Sequence, residues 1–191
     1  FPRQPYLVAA PEKIERWRRV SLFKAWTKST GPTVAGAACL APCDFRDDAQ
    51  LHAAIEGWER ADRDSSLVQV AGQARWWQTR YLRHPQQPYE FHWLVQDGER
   101  RGLVVAKIFQ AEGETRAHIV DYVLADGRAH GALLAAFEQH YGGRVARFVH
   151  WPVDPEFTAA LAEQGYTPDG FETWFGLRAL GGAVLDPKLL E

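Results

Sequence analysis

Methionine is absent from the 191 residues, and the chain opens on Phe1-Pro2. A chain of this size usually carries several methionines. The sequence therefore reads either as an excised piece of a longer chain or as one whose modified methionines are missing as written, with some spacings short by one. Cysteine is nearly as scarce, with only Cys39 and Cys43, in CLAPC. Tetrahedral zinc needs about four ligands, and only His52 stands near this pair, so two buried or free thiols are expected rather than a metal site. No apolar run approaches the roughly 20 residues of a membrane-spanning helix. The start also lacks the basic-then-apolar order of a secretion signal, so a cytoplasmic location is expected. Neither sign of charge dominates. Lys and Arg number 22 against 24 Asp and Glu, a net charge of -2, with a pI near 6.4. That balance gives no electrostatic ground for binding nucleic acid or an acidic membrane surface.

What is present is an ordinary globular composition, 46% hydrophobic and 24% charged, enough for one large domain or one domain with an extra piece. Residues 90–96 (EFHWLVQ) are aromatic and β-prone, and Asp97-Gly98 follows as a hairpin turn. Residues 101–110 supply the partner strand, a polar turn at 111–114 follows, and residues 115–124 (TRAHIVDYVL) make a third strand. The period then changes: residues 129–141 (AHGALLAAFEQHY) carry apolar side chains at helical spacing, stopped by Gly142-Gly143. Residues 144–151 read as a strand. Asp154-Pro155 opens another helix, Gly165 ends it, and residues 166–177 close with one or two strands. The order β-β-β-α-β-α-β predicts an α+β fold with helices packed on a mixed sheet. Upstream, residues 36–45 are a candidate first strand, residues 47–60 and 72–83 candidate helices, and residues 30–32 a linker. Trp76, Trp77, Trp93 and Trp174 are expected in the core or on a sheet face.

The two ends of the chain resemble each other. Phe1-Pro2 precedes Phe23-Lys-Ala-Trp26 by 22 residues, and Trp151-Pro152 precedes Phe171-Glu-Thr-Trp174 by 20. Chance similarity in an aromatic-rich chain is one reading. The other divides the chain into an N-terminal segment, residues 1–35, as the tail of a preceding unit of the same fold, and a domain at residues 36–191.

Between the third strand and the first long helix stands Val123-Leu-Ala-Asp-Gly-Arg128-Ala-His-Gly131-Ala-Leu133. Backbone N–H groups at a helix N-terminus and the helix dipole favour a pyrophosphate there. Glycine permits close approach, and Arg128 can add a charge-assisted contact. A plain strand-to-helix turn at Asp126-Gly127 has the same local sequence. The Arg128-x-x-Gly131 spacing, placed after an apolar strand and before a helix, resembles the pyrophosphate turn of the GNAT superfamily of acyl-CoA-dependent N-acyltransferases, and the order of elements over about residues 36–178 resembles that fold. The resemblance implies a GNAT-like, mostly antiparallel mixed sheet flanked by helices. It also implies acetyl-CoA or another acyl-CoA as co-substrate, held by Val123, Leu124, Arg128, Ala129, Gly131 and Ala132, and a small-molecule amine as acceptor. The sequence departs from the family pattern twice: Leu133 stands where a small residue is usual, and Leu161 where a proton-donating tyrosine often stands. Residues 77–85 with Tyr89 are similar to a segment of bacterial members associated with surface polysaccharides and amino sugars. A homodimer, or packing against a second GNAT-like domain, fits the same resemblance.

Direct transfer from a thioester needs a deprotonated amine, a polarised carbonyl and a proton for the sulfur. Asp121, Tyr122 and His150 are the candidate catalytic residues. Alternation along IVDYV puts Asp121 and Val123 on one face, and His118, Val120 and Tyr122 on the other. Asp121 in this apolar strand is read as a base or amine anchor, or as half of an ion pair with an arginine such as Arg80. His150 is the alternative base or a capped surface histidine. His130 is expected at phosphate or solvent, and Tyr166 in packing or as a proton donor.

Overall fold

The computed structural model describes residues 18–31, 36–44, 80–81, 88–125, 129–152 and 154–177. The candidate helix at residues 47–60 and most of that at 72–83 lie outside them, as do Asp126, Gly127 and Arg128. The elements run β1 (Arg18–Ser29), β2 (Ala38–Pro42), β3 (Glu90–Gln96), β4 (Glu99–Ala111), β5 (Glu114–Leu124), α1 (His130–Tyr141), β6 (Arg147–His150), α2 (Pro155–Glu163) and β7 (Thr167–Leu177). One seven-stranded sheet takes the order β2-β3-β4-β5-β6-β1-β7. Every adjacent pair is antiparallel except β5 with β6. The expected α+β fold, a mostly antiparallel mixed sheet with helices, is the fold observed.

Local chemistry explains the meander. Asp97 and Gly98 have φ of 53° and 79°, and Glu112 and Gly113 have 53° and 80°. Two successive positive φ values make a type I′ turn, whose twist matches that of paired strands. At Gly102 the constraint is steric. A Cβ there would lie 2.7 Å from Leu124 Cδ2 and 2.9 Å from the Val123 carbonyl oxygen, so only glycine lets β4 close on the end of β5.

Helix α2 begins as its sequence predicts. Asp154 caps it by accepting from the Glu156 N–H at 2.8 Å, with Pro155 in the first turn. It ends at Gly165, φ 81°. There the Tyr166 N–H donates to the Leu161 carbonyl and the Gly165 N–H to that of Ala162, each at 3.0 Å, the paired bonds of a Schellman ending. Both helices cover one face of the sheet. Leu133, Leu134, Phe137 and Leu161 pack there with Leu94, Val104, Ile119 and Phe148. The second face carries a smaller cluster around Tyr81, Trp93, Leu103 and Val105. Trp93 is thus a sheet-face residue, with the Arg100 guanidinium 4.5 Å above its ring.

Residues 18–29, read as part of a segment ahead of the domain, form a strand between β6 and β7. Lys28 anchors it to α1 through Glu138, with Nζ–O distances of 2.9 and 2.7 Å.

Candidate active site

Among the described residues the only parallel pairing in the sheet is short. β5 and β6 match at Arg116–Arg147 and Ala117–Phe148, and beyond those pairs the backbone ladder stops. Two imidazoles bridge the opening. The Ile119 N–H donates to His150 Nδ1 at 3.3 Å. His118 Nδ1 lies 3.0 Å from the Val149 carbonyl, which can only accept, so the proton sits on Nδ1 and Nε2 keeps its lone pair.

β5 is irregular at the same level. Val105 pairs with Asp121 and Ala106 with Ile119, leaving Val120 as an extra residue. This bulge overturns the strict alternation expected from sequence. Ile119 and Tyr122 face the helices, whereas Val120 and Val123 join the second face. Asp121 lies on that second face too, because it stands opposite Val105 and accepts from the Tyr81 hydroxyl at 2.7 Å. His118 falls on the same face, between Ala117 and Ile119, which both turn towards the helices. The bulge thus gives His118 and Asp121 a common side, and it removes Tyr122 from the side of His118.

Electrostatics distinguish these groups. Burial raises the Asp121 pKa, against the lowering effects of the Tyr81 hydroxyl, the Tyr122 N–H and the Arg80 charge. The charge of Arg80, the arginine considered for Asp121, favours its ionised form, and among the described residues the carboxylate accepts from Tyr81 and from the Tyr122 N–H at 2.9 Å. His118 is lowered to about 4, first by burial, although its bond to Val149 opposes that and Lys107 adds to it. It is neutral at physiological pH. His150 is fully buried among Phe137, Phe157 and Tyr166, and burial holds it well below the ordinary histidine range. The surface-histidine reading is corrected: this ring is a core residue. Because His150 and Tyr122 face the helices and Asp121 the other side, the three candidate catalytic residues do not converge.

The N-terminus of α1 lies against the end of β5, where the His130 and Tyr122 rings meet with centroids 5.4 Å apart, and Phe157 links His130 to His150. Ala129 stands at the cap position, no side chain among the described residues caps the helix, and its first turn holds no acidic residue. A Cβ at Gly131 would meet no atom within 4 Å, so the space beside it is open. Ala129, Gly131 and Ala132 are only partly buried, and Val123 and Leu124 end the strand that leads in. These features fit a pyrophosphate binding where the resemblance implies one. Leu133, the departure from the family pattern, is fully buried in the core and does not crowd the turn. His130 is also buried, against expectation. Its Nε2 lies 3.3 Å from Asp154 Oδ2, and the Tyr122 hydroxyl donates to the same oxygen at 3.3 Å.

At the far end of α1, Glu90, His92 and His140 bring potential ligand atoms within 4.8 Å of one another. The carboxylate already receives the Arg144 guanidinium at 2.8 and 3.1 Å and the Tyr141 hydroxyl at 3.0 Å, which in turn accepts from His92 Nε2 at 2.7 Å. That cluster is an ion-pair and hydrogen-bond network in which, among the described residues, His92 Nδ1 has no hydrogen-bond partner.

No family model and no curated protein matches the sequence. Similarity appears in solved structures. A GCN5-related N-acetyltransferase from Anabaena variabilis superposes with a TM-score of 0.58 at 13% identity, over 87% of this chain and 43% of its own. Eis1 from Mycobacterium abscessus gives 0.53 at 14%, over 88% and 44%. A probable N-acyltransferase from Enterococcus faecalis gives 0.51 at 18%, over 75% and 36%. The chain has the fold of these proteins and spans less than half the length of each.

Proposed function

We propose that the chain is an acyl-CoA-dependent N-acyltransferase that acylates a small amine by direct transfer. The observation that carries this reading is the coincidence of an opened parallel strand pair, a bulge in β5 and an uncapped helix N-terminus with open space at Gly131. The first turn of α1, with Arg128, Ala129, Gly131 and Ala132, would hold the pyrophosphate by backbone N–H groups and the helix dipole. Val123 and Leu124 would flank the pantetheine arm. When bound, the coenzyme supplies a thioester carbonyl to an attacking amine.

Asp121 is the residue to take the proton from the incoming ammonium, because burial raises its pKa towards the range of a working base. Tyr81 orients its carboxylate. His118, neutral and with Nε2 able to accept, lies on the same face and can hold the amine in line. An amino sugar is the acceptor class suggested by the sequence similarity at residues 77–85. The transfer has no acyl-enzyme step: Cys39 is exposed and Cys43 stands beyond the end of β2.

A second reading, a non-catalytic GNAT-like module, is favoured by Leu161 at the usual tyrosine position, fully buried, and by the imidazole bridges across the β5–β6 opening. Release of free thiol from acetyl-CoA in the presence of a panel of amines separates the two. Asp121→Asn should lower turnover about 100-fold or more, the usual scale for loss of a general base, with coenzyme affinity unchanged. Full activity in that variant removes Asp121 as the base, and no thiol release with any amine favours the module.

A further inference from the structure

The last turn of α1 and the start of β3 bring three metal-competent side chains together. Glu90 and His92 alternate along β3 and so share a face, and both reach the Tyr141 hydroxyl. His140 and Tyr141 end α1, and the His92 and His140 rings meet with centroids 4.7 Å apart. One ligand atom from each of Glu90, His92 and His140 lies within 4.8 Å of the other two.

Hydrogen bonding leaves lone pairs free in this cluster. The Tyr141 hydroxyl gives its proton to Glu90 Oε2, so the His92 Nε2–H is the donor to its oxygen at 2.7 Å. With no acceptor at Nδ1 the buried ring is neutral and carries its lone pair there. His92 is 5% exposed, and among the described residues Nδ1 has no hydrogen-bond partner. A buried acceptor left without a donor is destabilising, and a cation relieves it. The ring thus has one nitrogen for Tyr141 and one to spare, the arrangement in which an outer hydrogen bond fixes the tautomer of a metal-binding imidazole. The His140 ring makes ring contacts but, among the described residues, no hydrogen bond. A carboxylate offers about four lone-pair directions. Tyr141 and the two Arg144 nitrogens take up all but one of those on Glu90.

Two imidazoles and a carboxylate suit a borderline divalent ion such as zinc and leave a position for water. Magnesium and calcium prefer oxygen ligands throughout. Zinc ligands lie about 2.1 Å from the ion, hence roughly 3.4 Å from one another at tetrahedral angles. Closing the cluster to that spacing takes a shift of about 1 Å, within reach of the partly exposed His140. The helix C-terminus is also the negative pole of its dipole, which favours a cation there.

We infer that Glu90, His92 and His140 bind one zinc-type divalent cation, which ties the last turn of α1 to β3. Arg144 is the competing cation: it holds Glu90 at 2.8 and 3.1 Å and, 46% exposed, can swing into solvent when the metal arrives. The site lies about 14 Å along the helix axis from Gly131, and it stands independently of acyltransferase activity.

The test uses the full chain, freed of metal by a chelator and titrated calorimetrically with zinc chloride, with magnesium chloride as control. The expected result is one zinc per chain at micromolar Kd or tighter, no binding of magnesium, and a melting temperature several degrees higher in excess zinc. His140→Ala should keep the fold by circular dichroism and bind zinc at least 10-fold more weakly. Arg144→Ala should bind it at least 10-fold more tightly. Cobalt in place of zinc should give ligand-field bands without a thiolate charge-transfer band. Absence of zinc binding up to millimolar concentration overturns the inference. So does equal affinity in His140→Ala, or a thiolate band, because the ion would then sit elsewhere, as at Cys39 or Cys43. Unchanged or weaker binding by Arg144→Ala removes Glu90 as a ligand, and the three-residue site with it.

Discussion

His92, His118 and His150 are all held neutral by burial, His92 and His118 at about 4 and His150 well below the ordinary 6.5. In the unfolded chain each titrates near its ordinary value. As pH falls from about 6.5 towards 4, the unfolded state therefore binds protons at these three rings that the folded state does not, and His140, also lowered by burial, adds to the effect; stability is lost in that window. Asp121 acts in the opposite sense. Its raised pKa lets the folded state take up a proton first, so it offsets part of the loss at the acid end. Denaturant unfolding at pH 6.5, 5.5 and 4.5 should show stability falling by about 1.4 kcal/mol per pH unit for each histidine engaged. His92→Asn should reduce that slope by one proton, and a flat profile would contradict the burial argument. At this scale the sequence revealed which residues carry chemistry but not their partners. Asp121 stood out because a carboxylate in IVDYV is anomalous. Its pairing with Tyr81 joins positions 40 residues apart, and no local pattern announces it.

At the scale of elements, turns were the most legible features. Asp97-Gly98, the Asp154-Pro155 start and the Gly165 stop each follow from one residue's backbone preference. The bulge at Val120 was not legible, since a bulge is decided by how two strands meet. It is also what moved His118 to the side of Asp121. Gly102 belongs to the same contact. Gly102→Ala would force a methyl to within 2.7 Å of Leu124 Cδ2 and 2.9 Å of backbone oxygen. An expected loss of about 1–3 kcal/mol follows from overpacking, with added mobility at the end of β5. Thermal unfolding, together with hydrogen exchange at Val123 and Leu124, measures it. Unchanged stability would show that β4 and β5 separate there at little cost.

For the whole molecule, the position of β1 is the feature least visible from sequence. Its residues looked like a tail because nothing between Arg18 and Ser29 specifies partners more than 110 positions away. Yet β1 bonds to β6 and β7 at once, and Lys28 ties it to Glu138. Deleting residues 1–31 should abolish cooperative thermal unfolding monitored by circular dichroism, because β7 loses its partner and Glu138 its counter-charge. A deletion variant that melts as sharply as the full chain would show that the sheet closes without β1.

The same assembly of sheet and helices places the N-terminus of α1 against the end of β5, and coenzyme binding there is the central claim. Calorimetric titration with acetyl-CoA tests it most directly, run on the chain and on Gly131→Asp. The variant adds a negative charge in open space and should leave the melting temperature unchanged. The account predicts one coenzyme per chain for the unmodified protein and at least 10-fold weaker binding for the variant. Absence of binding up to millimolar coenzyme, or equal affinity in the two proteins, would contradict it.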